Sequence, residues 1–92
     1  MIYFTLHKEK LSDFNLSPYV EYNISQGSLY LTNNLFMSRI ILKIPDITAQ
    51  QQLIDILSIG CTETSITNQL KKSGITEPQE ILRLLLQKGM IE

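Results

Sequence analysis

The sequence predicts an α+β domain: an N-terminal three-stranded antiparallel sheet, with room for a short extra strand ahead of it, followed by three helices. Two observations carry this. Before Pro45, aromatic, β-branched and leucine side chains recur with period two; after it, three blocks each open on threonine and close on glycine. At 92 residues, 43% of them hydrophobic, the chain forms one domain spanning residues 1–92 around a single core. Isoleucine and leucine supply most of that core, since Val20 and Ala49 are the sole valine and alanine.

The strands are justified in order. Ile2 to His7 alternates weakly and suits a short strand; Lys8 to Ser17 reads as a polar connector. Tyr19 to Ser25 sets Tyr19, Glu21 and Asn23 against Val20, Tyr22 and Ile24, a half-buried pattern. Gln26-Gly27 turns the chain, and Ser28 to Thr32 returns with Leu29 and Leu31 on one face. Asn33-Asn34 marks a second turn. In the third strand, Arg39 to Ile44, the residues Ile40, Leu42 and Ile44 share one face and Arg39, Ile41 and Lys43 the other. Pro45 ends it, having no N–H for a ladder.

The helices follow from their punctuation. The blocks run from Thr48 to Gly60, Thr62 to Gly74 and Thr76 to Gly89. Threonine caps helix N-termini and glycine accepts the left-handed position beyond the C-terminus. Thr48 with Gln51 and Thr76 with Gln79 have capping-box spacing; Pro78 falls in a first turn, where its missing N–H costs little. Asp46, beside Pro45, reads as a helix initiator rather than a catalytic acid. The first helix presents Leu53, Ile56 and Leu57, with Ile54 and Ile59 beside them; the second is a thin surface helix with Ile66 and Leu70. The third carries Ile81, Leu82, Leu84, Leu85 and Leu86, more than one stripe requires. That excess fits a central helix burying two faces, or one face left for a partner.

Composition narrows function. A formal net charge of −1 disfavours general binding to nucleic acid by phosphate neutralisation. No segment approaches the roughly 18 apolar residues of a membrane span, and the opening lacks the basic start of a signal peptide, so a cytoplasmic protein is expected. One cysteine, Cys61, and one histidine, His7, exclude an internal disulfide and a cysteine-cluster zinc site. Cys61 reads as a small apolar residue between two helices. No phosphate loop, metal-ligand cluster or Ser/His/Asp grouping is present, so the expectation is a non-enzyme without cofactor or metal.

The element order is a winged-helix-like arrangement with its sheet first. The hairpin Tyr19 to Thr32, the stretch from Leu53 through Gly60-Cys61-Thr62 to Ile66, and the closing run from Ile81 to Gly89-Met90-Ile91 carry a resemblance to a known family. From Pro18 to Glu92 the chain resembles the PqqD-like recognition elements of ribosomally made, post-translationally modified peptides. The long Asn33 to Ser38 connection and the Ile2 to His7 segment depart from that pattern. The resemblance implies binding of a precursor's leader peptide and its presentation to a peptide-modifying enzyme. It also implies the mode: the leader adds as a strand beside the third strand and its side chains enter a groove against the third helix. The peptide-binding residues so implied are Arg39, Ile40, Ile41, Leu42 and Lys43, with Leu82 and Leu86 preferred over Ile81 and Leu85 on the helix. Arg39 and Lys43 would flank the groove and steer an acidic leader, or else act as gatekeepers against edge aggregation. Two other readings compete. A DNA-binding winged helix would gather Lys71, Lys72, Arg83 and Lys88 on one face, but the expected wing after the third helix is missing. A dimerisation module would pair two strand edges across a two-fold axis, making a homodimer.

Overall fold

The computed structural model describes residues 13–92. It has an N-terminal three-stranded antiparallel sheet followed by three helices, as the sequence predicts. The strands are β1 (Val20–Ser25), β2 (Ser28–Asn33) and β3 (Ser38–Leu42), paired in the order β1-β2-β3. The helices are α1 (Ile47–Ile59), α2 (Glu63–Lys72) and α3 (Pro78–Gln87). The expected Ile2 to His7 strand lies outside the described residues.

The sheet is set by its turns. Ser25 pairs with Ser28 around Gln26-Gly27, and Gly27 takes φ 90°, which a side chain would resist. Tyr22, Leu31 and Ile40 share one cross-strand row, and Ile24, Leu29 and Leu42 the next. These rows form the inner face, where Leu29, Leu31, Ile40 and Leu42 are buried.

The helices bury a matching layer. Leu53, Ile54 and Leu57 of α1, Ile66 and Leu70 of α2, and Leu82 and Leu85 of α3 join the inner sheet face in one core cluster. Each fully buried Leu or Ile contributes about 1.5–3 kcal/mol through removal of its surface from water. Caps fix the helix starts, with two differences from the sequence reading. Asp46, not Thr48, caps α1, its carboxylate accepting from the Thr48 N–H (3.0 Å). Thr62 caps α2 as expected, accepting from the Ser65 N–H (3.2 Å). Glu77 precedes α3 with no side-chain cap, so Thr76 builds no capping box; Pro78 opens the helix. The α3 surface is also less buried than a two-faced central helix: Ile81 and Leu84 are half-buried and Leu86 is exposed.

Two features lay beyond the period-two and 3.6 patterns. The first is a strap formed by residues 14–17, read above as a polar connector. Phe14 and Cys61 exchange backbone hydrogen bonds (2.9 Å each way), as do Asn15 and Glu92 (2.9 Å each way). The Leu16 N–H donates to Leu57 (2.9 Å) and that of Ser17 to Met90 (3.0 Å). The second is Gln50, fully buried on α1. Its Nε2 donates to the carbonyls of Ser25 (2.8 Å) and Ile44 (2.7 Å), pinning the first turn and the end of the sheet to α1. Its Oε1 is buried without a partner among the described residues.

Replacing Gln50 therefore strands two carbonyls and opens a void. Gln50→Ala is expected to cost about 2–4 kcal/mol, read as a lowered urea midpoint. The neighbouring Gln51→Ala, which removes only an exposed bond to Asp55, shifts it by less than about 0.5 kcal/mol.

Cys61 lies between α1 and α2 and is 6% exposed. Burial, and then the charge of Asp13, push its thiol above its ordinary value. The folded chain thus holds that proton more tightly than the unfolded chain. The resulting stability is present below the unfolded thiol value of about 8.5 and is lost as pH rises through the higher folded value. Iodoacetamide at about pH 8 is expected to label Cys61 at least tenfold more slowly in the native protein than in urea, followed by mass spectrometry.

Candidate functional site

The site is built on the β2–β3 turn and the outer edge of β3. The turn is organised by one buried side chain. Asn33 Oδ1 accepts from the N–H groups of Leu35 (2.8 Å) and Phe36 (2.9 Å), which curls the chain back. Asn33 Nδ2 donates to the Gly89 carbonyl (2.7 Å), and Ser38 Oγ donates to that of Lys88 (2.6 Å). The turn is therefore bolted to the C-terminal end of α3, and β3 starts from a fixed point. Met37 closes the turn at φ 58°, a left-handed conformation uncommon for a side-chain-bearing residue.

The register then decides which backbone groups of β3 face outward. A two-residue turn makes Ser25 and Ser28 a hydrogen-bonded pair. Pairs alternate along the ladder, and the Asn34 N–H donating to the Tyr19 carbonyl (3.1 Å) fixes the same parity at the far end. Leu29, Leu31 and Asn33 thus turn their backbone groups toward Leu42, Ile40 and Ser38. The N–H and C=O groups of Arg39 and Ile41 point the other way. No strand among the described residues pairs with that edge.

The side chains follow the same alternation. Arg39, Ile41 and Lys43 are exposed on the outer face, Ile41 at 49%, whereas Ile40 and Leu42 are core residues. Neither Arg39 nor Lys43 makes an ion pair among the described residues, where Arg83 with Glu80 (2.8 Å) is the one salt bridge. Arg83 and Glu80 are both on α3, so the cation of the DNA reading nearest the helix middle is already compensated.

The helix residues expected beside the edge separate. Leu82, at 5% exposure, lies in the core with Ile40 and Leu42, so its burial leaves no surface for a guest. Leu86, 44% exposed, lines a different groove of about 280 Å³ with Tyr19, Leu35, Phe36 and Ile91. Arg39 lines a pocket of about 440 Å³ with Thr32, Asn34, Met37 and Ser38. The seven expected residues thus divide into an exposed edge (Arg39, Ile41, Lys43), a core layer (Ile40, Leu42, Leu82) and a separate groove (Leu86). Sequence reasoning passed over Asn33 as a site-building residue. The signal was there: asparagine heading a turn readily accepts from the backbone two residues on. Comparison with protein-family models, curated proteins and solved structures finds no match to this chain.

Asn33→Ala removes the turn's acceptor and the bond to Gly89 together. It is expected to lower stability by about 2–3 kcal/mol in urea unfolding. A second check acts from the other side of the latch. Gly89 sits at φ 75°, and a Cβ there would meet the Phe36 ring, so Gly89→Ala is expected to destabilise as well, with part of the loss recovered in a Gly89→Ala/Phe36→Ala double variant.

Proposed function

We propose that this domain is a non-catalytic peptide-recognition module. It binds the leader region of a ribosomally synthesised precursor peptide by strand addition to β3 and presents it to a modifying enzyme. The observation that carries the reading is the outer edge of β3: the backbone groups of Arg39 and Ile41 face outward, with no paired strand among the described residues. Such groups form a template for a guest strand. The edge is also anchored for that task. The core holds Ile40 and Leu42 from one side, and the Ser38 bond to Lys88 fixes the strand's start, so little further ordering accompanies binding. The arrangement of sheet before helices, which carried the resemblance to PqqD-like elements, supports the same reading. A micromolar complex requires only about −8 kcal/mol, within reach of strand pairing and a few apolar contacts.

The edge offers a specific test. The Ile41 N–H points outward, so Ile41→Pro removes a donor for the guest and leaves the bonds to β2 in place. Circular dichroism and thermal unfolding should show a folded variant. Fluorescence polarisation with a labelled leader-type peptide encoded beside this gene is expected to give saturable micromolar binding to the parent protein. The proline variant should bind at least about tenfold more weakly. Equal binding by the two proteins would place the peptide elsewhere, and no binding at about 100 µM would remove peptide recognition as the function.

A further inference from the structure

The outer edge of β3, which no strand among the described residues pairs, carries a charge pattern along its exposed face. Arg39 and Lys43 bracket Ile41 on the outer face; Arg39 and Ile41 turn their backbone groups outward, and Lys43, one residue beyond β3, continues the exposed side of the alternation between buried Leu42 and Ile44. At about 3.3 Å per residue, the two cations stand about 13 Å apart along the strand. On the inner side of this face, Thr32 lies opposite Arg39 and Tyr30 opposite Ile41. The one carboxylate on the same row, Glu21, is opposite Thr32 on β1. Two strand spacings, about 10 Å, separate it from Arg39. The described sheet therefore leaves both cations uncompensated beside a ladder without a partner strand.

We propose that this edge selects an extended peptide with two carboxylates four residues apart around a central apolar residue. The inference rests on strand addition at β3 and names the guest's chemistry. A strand beside β3 places alternate residues on the outer face, opposite Arg39, Ile41 and Lys43. Carboxylates at the first and last of these positions meet opposite charge, and an apolar residue between them covers the exposed part of Ile41. The two intervening residues fall on the inner face beside the buried Ile40 and Leu42, where apolar side chains extend the core layer. The pattern reads the same in both directions, so a parallel or an antiparallel guest satisfies it.

The same charges act against a second copy of the chain. Antiparallel self-pairing about a two-fold axis at Ile41 overlaps the whole strand. It places Arg39 of one copy opposite Lys43 of the other, twice. Like charges directly opposite destabilise a strand pair. The edge thus repels its own kind and attracts an acidic guest.

Three fluorescein-labelled synthetic peptides test this on the full chain by polarisation at about 50 mM salt, where screening is weak. The first is Gly-Ser-Glu-Val-Val-Val-Glu-Ser-Gly. The second has lysine for both glutamates. The third, Gly-Ser-Glu-Val-Val-Glu-Val-Ser-Gly, moves one glutamate to the opposite strand face. The first is expected to bind about tenfold tighter than the second, since two attractive pairs become repulsive, with the third between them. An Arg39→Glu/Lys43→Glu variant should reverse the order of the first two.

Equal affinity for the glutamate and lysine peptides, with binding still lost in Ile41→Pro, overturns the charge selection and leaves strand addition standing. A preference for glutamate that survives the double charge reversal overturns it too, by locating the selecting charges elsewhere. Failure of all three peptides to bind at about 500 µM overturns both readings. A dimer in analytical ultracentrifugation that the Ile41→Pro change dissociates makes a second copy the occupant and overturns the selection.

Discussion

The buried amide of Asn33 holds the sheet and the last helix in one frame, and the exposed edge depends on it. Its carbonyl oxygen closes the β2–β3 turn and its nitrogen reaches the Gly89 carbonyl, so one side chain sets both the path of the turn and its position on α3. A shift of one residue in that turn would exchange the two faces of β3. Ile41 would then enter the core, and Ile40 and Leu42 would face water. The placement of Arg39, Ile41 and Lys43 on the outside is therefore a consequence of a polar contact made several residues away. Gln50 does the corresponding work at the other end, where its two bonds tie the β1–β2 turn and Ile44 to α1. Between these two amides the apolar layer determines how strongly the domain holds together, and the amides determine in which register.

Much of the fold was legible because its signals are local. Thr62, Pro78 and the glycines at 60, 74 and 89 mark helix boundaries through backbone chemistry that acts within one turn. The β1–β2 hairpin follows from Gln26-Gly27 and the alternation on either side. Asp46 took the cap assigned to Thr48 because its carboxylate, two residues earlier, accepts from the Thr48 N–H itself and starts the helix at Ile47. What stayed illegible is of a different kind. Gln50 looks like a surface residue within a run of three glutamines, and only the approach of Ser25 and Ile44 makes it a core residue. Leu82 and Leu86 lie four apart on one helix, which suggests a shared fate. The first is buried in the core cluster and the second is exposed.

The free edge itself was partly legible. The third strand, expected over Arg39 to Ile44, runs from Ser38 to Leu42, and the alternation of Arg39, Ile41 and Lys43 put their side chains on one face. Which backbone groups point outward was not readable, because that depends on the parity set by a two-residue turn and on the sheet order. The groove holding Leu86 was not readable either: Tyr19, Leu35, Phe36, Leu86 and Ile91 come from four stretches of chain and meet only once Asn33 has docked the turn. Both cases show long-range geometry inherited from short-range chemistry, which a single sequence displays only at its source.

The strap that joins residues 14–17 to Cys61 and to Met90 and Glu92 has a consequence for how the domain is made. Phe14 and Leu16 meet Cys61 and Leu57, and Asn15 and Ser17 meet Glu92 and Met90, so every bond of the strap spans a long stretch of chain. The hairpin and each helix form from neighbours, but the strap closes over nearly the whole described length, where the entropy of loop closure is greatest. The backbone groups of residues 14–17 find these partners only where α1 and the residues beyond α3 are in place. Ser17, which leads directly into the sheet through the Val20 N–H bond to its carbonyl (3.1 Å), thereby joins Met90 to the start of β1.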